Sequence, residues 1–275
     1  MKKTFVISGL ILSMFAMTAC GANTSGTSGQ GNSANSSTAG SGNLYQTIKQ
    51  QGTITIGTEG TYAPFDYHDN TGKLTGFDVE IAEQVAQRLG VKPKFVESQW
   101  DGLLEGLFSH RYDMVADEVA ITPERKAKYD FSTPYIVSRA VLIVRSDNNT
   151  IKSFKDLKGH TAGQSLTSNL ADIARQNGAH IQPVSGFNEA ISLLESGRID
   201  ATVNDELSFL DFKKHHPNAP LKVVASWNNA AEEGFAMPKG NPELVQAVNK
   251  ALADMKKDGT YLKISEKYFG VDVSK

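Results

Sequence analysis

A chain of 275 residues, 40% hydrophobic and 21% charged, is long enough for one large domain or two small lobes. Its 28 basic and 30 acidic side chains give a formal net charge of −2, and no Lys/Arg stripe is interleaved with aromatics, which argues against a nucleic-acid partner. With a single cysteine, no zinc-type Cys/His spacing, no Gly-rich phosphate loop and no nucleophile elbow, no cofactor or metal is expected.

Lys2 and Lys3 open a positive segment, and Phe5 to Met17 is an apolar stretch of about a dozen residues, too short to cross a bilayer as a helix. Small Thr18 and Ala19 follow, then Cys20, so residues 1–19 are expected to be a signal peptide. Its removal takes Lys2 and Lys3 away and moves the net charge from −2 to −4. Ala16-Met17-Thr18-Ala19-Cys20 resembles a bacterial lipobox, with Met17 where Leu is usual. That resemblance implies lipidation of Cys20, which has no partner for an internal disulfide, and an acyl anchor that holds the chain to a membrane without spanning it. Residues 22–43 are nearly all Gly, Ser, Asn, Thr and Ala, so 20–43 reads as a lipidated cysteine followed by a flexible tether.

From Thr53 onward, β-branched runs alternate with helical periodicity. Thr53 to Ile56 reads as a strand. Phe77, Ile81, Val85 and Leu89 recur every four residues, with Asp78 as the expected N-cap and Gly90 as the stop. Lys94 to Glu97 is a second strand. Asp101 is the expected cap of a helix that turns Leu103, Leu104, Leu107 and Phe108 inward, and Tyr112 to Ala116 is a third strand. This spacing implies a parallel sheet with right-handed crossovers. After Val141–Val144 the alternation resumes: a strand over 160–163, helices over 167–176 and 188–195, then strands over 199–203 and 221–225. Asn241-Pro242 starts a helix that runs to about Lys257, with Pro at its first position; Gly259 ends it, and a short helix follows to Tyr268. His215-His216 before Pro217 reads as a solvated helix end.

Two stretches repeat one grammar. Leu103-Leu104-Glu105-Gly106 leads through Arg111-Tyr112-Asp113 to Asp117-Glu118, and Leu193-Leu194-Glu195-Ser196 leads through Arg198-Ile199-Asp200 to Asp205-Glu206. Each is a helix, an Arg-x-Asp turn, a strand and an acidic pair at the strand's carboxyl end. Generic βα grammar could produce this; read as a repeat, it implies two α/β lobes whose strand ends face one cleft.

Three segments carry polar groups at strand ends. Gly57 to Phe65 is a loop with two aromatics, either packed beneath it or walling a ligand. In Thr122-Pro123-Glu124-Arg125, Thr122 caps a short turn and Arg125 can fork onto a carboxylate or pair with Glu124 or Asp130. In Asn204-Asp205-Glu206, Asp205 can hold an ammonium or cap the next helix. Arg125 and Asp205 on opposite lobes make a zwitterion clamp that closes on its ligand.

Taken together, Gly57–Phe65, Gly76-Phe77-Asp78, Thr122–Arg125 and Asp130-Phe131-Ser132-Thr133-Pro134-Tyr135 resemble the polar amino acid-binding lipoproteins of bacterial ABC importers, over about 44–275. The resemblance implies an α/β, two-lobe type II periplasmic-binding-protein fold. Lobe 1 would be 44–138 with 238–275 and lobe 2 would be 139–237, joined by a hinge of two crossover strands near Val137–Val144 and Gly234–Met237. It implies Arg125 on the ligand α-carboxylate with the Thr167 backbone N–H, Asp205 on the α-ammonium, main-chain contacts from Glu118 and Ala120, and side-chain walls at Tyr62 and Trp100. Ala120 stands where a hydroxyl residue is common, and Ser165 where Gly is common. Gln164–Asn169, Asn204–Leu207 and the Lys-Tyr-Phe-Gly ending look most like the cystine-binding subgroup. Partners would be an amino acid and a membrane ABC permease, with the chain a monomer on the extracytoplasmic face of the cell membrane. The alternatives are another polar amino acid, a ligand sensor for a membrane partner, or a dehydratase-type enzyme on the same scaffold. The last needs a raised-pKa acid at Glu59 or Glu118, for which the sequence offers no cause.

Overall fold

The structure, a computed structural model, describes residues 43–275. The expected signal peptide, Cys20 and nearly all of the tether lie outside the described residues. Among the described residues, no helix is long and apolar enough to cross a membrane.

Two five-stranded sheets share one plan. The first runs Lys92–Glu97, Thr53–Thr58, Met114–Val115, Ala236–Pro238, Tyr129–Phe131; its first three strands are parallel, and Ala236–Pro238 is antiparallel to both neighbours. The second runs His180–Pro183, Thr161–Gln164, Ala201–Asp205, Ala140–Arg145, Leu221–Ser226, again three parallel strands followed by one antiparallel to both its neighbours. Pro93 and Pro183 lie on edge strands, where a missing N–H costs no ladder bond. Each sheet with its covering helices is a lobe of the type II arrangement.

The Arg-x-Asp grammar has a physical cause. In the first lobe Asp113 closes a ring with Thr55: the Thr55 N–H donates to the Asp113 carboxylate at 2.8 Å, and the Asp113 N–H donates to the Thr55 carbonyl at 2.8 Å. In the second lobe Asp200 and Thr161 do the same, at 2.8 and 2.9 Å. Each aspartate ties the start of one parallel strand to the start of its neighbour, so the internal similarity is a shared structural device.

Helix Phe77–Leu89 buries Phe77, Ile81, Val85 and Leu89, and Gly90 ends it at φ 70°. Its start differs from expectation. Gly76 is the N-cap, at φ 133°, where a Cβ would meet the Phe65 carbonyl oxygen at 2.1 Å. Asp78 therefore falls in the first turn, is fully buried, and accepts the Glu118 N–H at 2.6 Å. Helix Trp100–Phe108 is capped by Gln99 rather than Asp101; it buries Leu103 and Leu107, while Phe108, expected to face inward, is 62% exposed. Only Met114–Val115 of the expected strand 112–116 is laddered. Tyr112 instead wedges its ring against Gly57 and Gly106 and donates its hydroxyl to the Leu103 carbonyl at 2.7 Å. Helix Asn169–Gln176 starts later than residue 167 because the Ser168 hydroxyl accepts the Ala171 N–H. Helix Pro242–Lys257 begins and ends as its Pro and Gly signals predict.

The lobes are joined by an antiparallel ribbon, Ile136–Ser138 against Ala231–Glu233. The expected second crossover over Gly234–Met237 is displaced, since Ala236–Pro238 is already a strand of the first sheet. Ala120 bridges to Glu233 beside the ribbon.

Candidate functional site

A cavity of about 720 Å³ lies between the lobes, at the carboxyl ends of the parallel strands. Each strand delivers its end or its following loop to the wall: Glu59 and Tyr62 after Thr53–Thr58, Asp117, Glu118 and Ala120 to Glu124 after Met114–Val115, Gln164, Ser165 and Ser168 to Leu170 at and after the end of Thr161–Gln164, and Asn204-Asp205 at the end of Ala201–Asp205. The charged side chains of the lining are all acidic: Glu59, Asp117, Glu118, Glu124, Asp172, Asp205, Glu232 and Glu233.

Five of the seven ligand-site residues named from sequence line this cavity, and a sixth, Arg125, lies behind its wall. Tyr62 is in the wall, and its hydroxyl donates across the cleft to Asn204 Oδ1 at 2.7 Å, with Glu118 and Ser208 also in reach. Trp100 lines the cavity with its indole N–H buried and unpaired. Ala120 lines the wall and is held there by a strand-like bridge to Glu233. Arg125 sits directly behind Ala120–Glu124 rather than in the lining; it is 8% exposed. Neither Glu124 nor Asp130 pairs with it. Its Nη1 donates to the Ala120 carbonyl at 3.0 Å, its Cζ lies 5.1 Å from the centre of the Trp100 ring, and Asp130 is held by Lys239. Burial draws the guanidinium down to about 10, with Asp172 and Glu233 the leading opposing charges. It remains a cation at neutral pH.

Asp205 and Glu118 face each other from opposite lobes, and Glu233 of the ribbon completes a group whose carboxylate oxygens lie within 4.8 Å of one another. Asp205 also caps helix Glu206–His215 by accepting the Leu207 N–H at 2.8 Å, so the capping alternative is realised, leaving its second oxygen for another partner. Burial pushes Asp205 up to about 6 against the hydrogen bonds it accepts, and it pushes Glu118 and Glu233 well above the usual carboxylate range, where the charges of Asp205 and Asp78 add to it. Burial, then the Asp117 charge, pushes Glu59 up to about 9. The expectation that nothing would raise Glu59 or Glu118 is corrected: the closed cleft excludes the water that would solvate them.

Thr167 is placed differently. It does not line the cavity; its N–H and hydroxyl both donate to the Asp101 carboxylate at 2.9 Å, beside the Leu166 N–H at 3.2 Å. This contact joins a first-lobe helix to a second-lobe loop on the rim, and Asn188 reaches the Thr61 carbonyl at 3.0 Å elsewhere on it. Sequence reasoning did not find Asp101 as a rim residue or Glu233 as a cleft residue. Both roles arise from pairing between distant segments, and no local signal could have shown them.

The model of the bacterial extracellular solute-binding proteins, family 3, matches residues 54–271. The chain belongs to that family. Among relatives, this family 3 protein is 46% identical to the L-cystine-binding protein TcyA of Bacillus subtilis (strain 168), over all of both chains. Among solved structures it is 47% identical to the L-cystine solute receptor of Neisseria gonorrhoeae in its unliganded open conformation, covering 85% of this chain and 100% of that one at a TM-score of 0.57. An ancestral arginine-binding protein bound to arginine is 42% identical, covers 79% and 98%, and superposes at 0.75. The cystine receptor is in its unliganded open conformation, whereas here the lobes are bonded to each other across the cleft by Tyr62–Asn204 and Asp101–Thr167.

Proposed function

We propose that this family 3 protein captures one amino acid in the interlobe cavity and delivers it to a membrane ABC importer, with L-cystine as the ligand. The observation that carries the proposal is the opposition of charge across the cleft: Arg125 on the first lobe, Asp205 on the second, both more than nine-tenths buried. A ligand α-carboxylate meets the Arg125 fork and its α-ammonium meets Asp205, so both charges are neutralised only when the lobes are shut. The lobes turn about the ribbon of Ile136–Ser138 and Ala231–Glu233. Trp100 and Tyr62 supply the side-chain walls, Glu118 and Ala120 contribute beside the ammonium, and Thr167 acts at the rim through Asp101. The cystine assignment rests on the whole-length similarity to TcyA and on a cavity large enough for an elongated diamino acid. In this reading Cys20 carries the lipid, the tether lets the domain reach the permease from the outer face, and the unit works as a monomer.

A second reading is an amino acid with a cationic side chain, favoured by a lining whose charged groups are all acidic. A dehydratase-type enzyme would use the raised carboxyls of Glu59 or Glu118 as its acid.

A thermal-shift screen across amino acids separates these. Ligand at a hundred times Kd adds about 2.7 kcal/mol of stability. Cystine is expected to give the largest shift and to be recovered unchanged, and Arg125→Ala to abolish the shift while cooperative unfolding persists. A larger shift with arginine or ornithine favours the second reading, product formation favours an enzyme, and an unchanged shift in Arg125→Ala removes the clamp.

A further inference from the structure

Glu118, Asp205 and Glu233 come from three parts of the fold: the first lobe, the second lobe and the ribbon between them. In the closed arrangement one carboxylate oxygen of each lies within 4.8 Å of the others, and all three side chains are at least nine-tenths buried. Among the described residues no Lys, Arg or His forms an ion pair with any of them. Two of the oxygens, Glu118 Oε1 and Glu233 Oε2, are buried without any hydrogen-bond partner, and both residues line the cavity. Buried acceptors are paired as a rule, so these two await a donor that arrives with the ligand.

The groups around the cage offer little compensation. Glu118 faces Tyr62 and Asp78, Asp205 faces Ser138 and the start of its own helix, and Glu233 faces Asp78, Tyr135 and, as its one nearby cation, Arg125. Arg125 is already turned to the Ala120 carbonyl and the Trp100 ring.

A primary ammonium carries three N–H donors on one charge. Three carboxyl groups converging from three segments match that donor count. They do not match its charge. Three ionised carboxylates around one ammonium leave two negative charges in a water-excluded space. One carboxyl can take a proton and still accept from the ammonium through its carbonyl oxygen.

We propose that Glu118 and Glu233 join Asp205 in a three-carboxyl cage for the ligand's ammonium, and that closing the cage takes up one proton. The inference rests on the proposed amino-acid function and deepens it. In the open arrangement the carboxyls separate, water solvates them and they ionise. In the closed arrangement Glu118 and Glu233 share the proton. The linkage has a definite sign: the groups hold the proton more tightly when closed, so affinity is greatest at low pH and falls as pH rises through the closed-state titration, by up to tenfold per pH unit for one proton. The same geometry selects a primary ammonium over an α-hydroxy acid or an N-methylated amino acid, each of which leaves an acceptor unpaired.

The test is calorimetric titration of cystine from pH 6 to 8 in buffers of differing ionisation enthalpy, with the full exported chain. Wild type is expected to take up between half a proton and one proton per ligand near neutral pH, and to weaken as pH rises. Glu233→Gln and Glu118→Gln, which mimic the protonated acid, are each expected to bind at least as tightly at pH 8 and to lose the proton uptake. Glu233→Leu, which removes the acceptor, is expected to weaken binding at least tenfold at every pH. Cystine binding with no proton uptake, or proton uptake unchanged in both Gln variants, overturns the cage and leaves the amino-acid function standing. No binding of any amino acid by wild type overturns the function itself. Stabilisation by Ca²⁺ or Mg²⁺ alone that Glu233→Gln abolishes assigns the three carboxylates to a metal and overturns the ammonium cage.

Discussion

At the scale of single residues, the first lobe is shaped by what glycine permits. Gly106 lies inside helix Trp100–Phe108, where alanine is the better helix former by roughly 1 kcal/mol. Yet a Cβ there would sit 2.1 Å from the Tyr112 hydroxyl, and Tyr112 is 2% exposed, held between Gly106 and Gly57 and bonded to the Leu103 carbonyl. The ring cannot move aside without breaking that bond. Gly106→Ala is therefore expected to destabilise the protein by about 1–3 kcal/mol, against its helix propensity. Chemical denaturation checks this, and a variant as stable as wild type would show that Tyr112 has room. Arg125 illustrates the opposite limit: a cation in a largely dry site is kept by a carbonyl and an aromatic face until a carboxylate arrives.

At the scale of elements, the rim contact shows how a helix start can act on another lobe. Asp101 is in the first turn of helix Trp100–Phe108, and it reaches across the cleft to the N–H groups of Leu166 and Thr167. Those bonds exist only in the closed arrangement, so they favour closure whichever ligand is inside. Asp101→Ala is expected to raise the Kd about tenfold, corresponding to about 1.4 kcal/mol, with little change in the stability of the ligand-free protein. Calorimetry on the variant checks it; an unchanged Kd would mean that water replaces the rim bonds at no cost. Asp113 and Asp200 work differently. Each is tied to the start of a parallel strand in its own lobe, so removing either weakens one sheet and leaves the cleft untouched.

At the scale of the whole molecule, the buried acids tie stability to pH. Burial within the first lobe, outside the lining of the cleft, pushes Asp78 up to about 7. Between about pH 4 and that value the unfolded chain has released a proton that the folded chain keeps, so the folded state binds more protons and loses stability as pH rises. The Tm of the ligand-free protein is expected to fall by about 3–5 °C per pH unit between pH 5 and 7, since one such group contributes about 1.4 kcal/mol per pH unit and each kcal/mol moves the Tm by about 2–4 °C. Differential scanning calorimetry across that range checks the sign, and a Tm that climbs with pH would show this carboxyl to be ionised in the fold. Asp78→Asn, which keeps an acceptor for the Glu118 N–H, should flatten the profile.

The sequence alone determined what short-range stereochemistry dictates. Gly90 and Gly259 end helices because the left-handed backbone there suits glycine, Pro242 starts one because its missing N–H needs no partner, and the Arg-x-Asp turns announce parallel strands in both lobes. It also marked Tyr62, Glu118, Ala120, Arg125 and Asp205 as strand-end groups, and the family resemblance added Trp100; the structure places Arg125 behind the wall of one cavity and the others in it. Tertiary structure decided the rest. The Phe65 carbonyl pressed on Gly76 moved the helix start and buried Asp78, the rim contact drew Thr167 out of the cavity, and the ribbon brought Glu233 beside Glu118 and Asp205. Each depends on segments far apart in the chain meeting at hydrogen-bond range, and the free energy of such a meeting comes from packing and desolvation that no local window of residues contains.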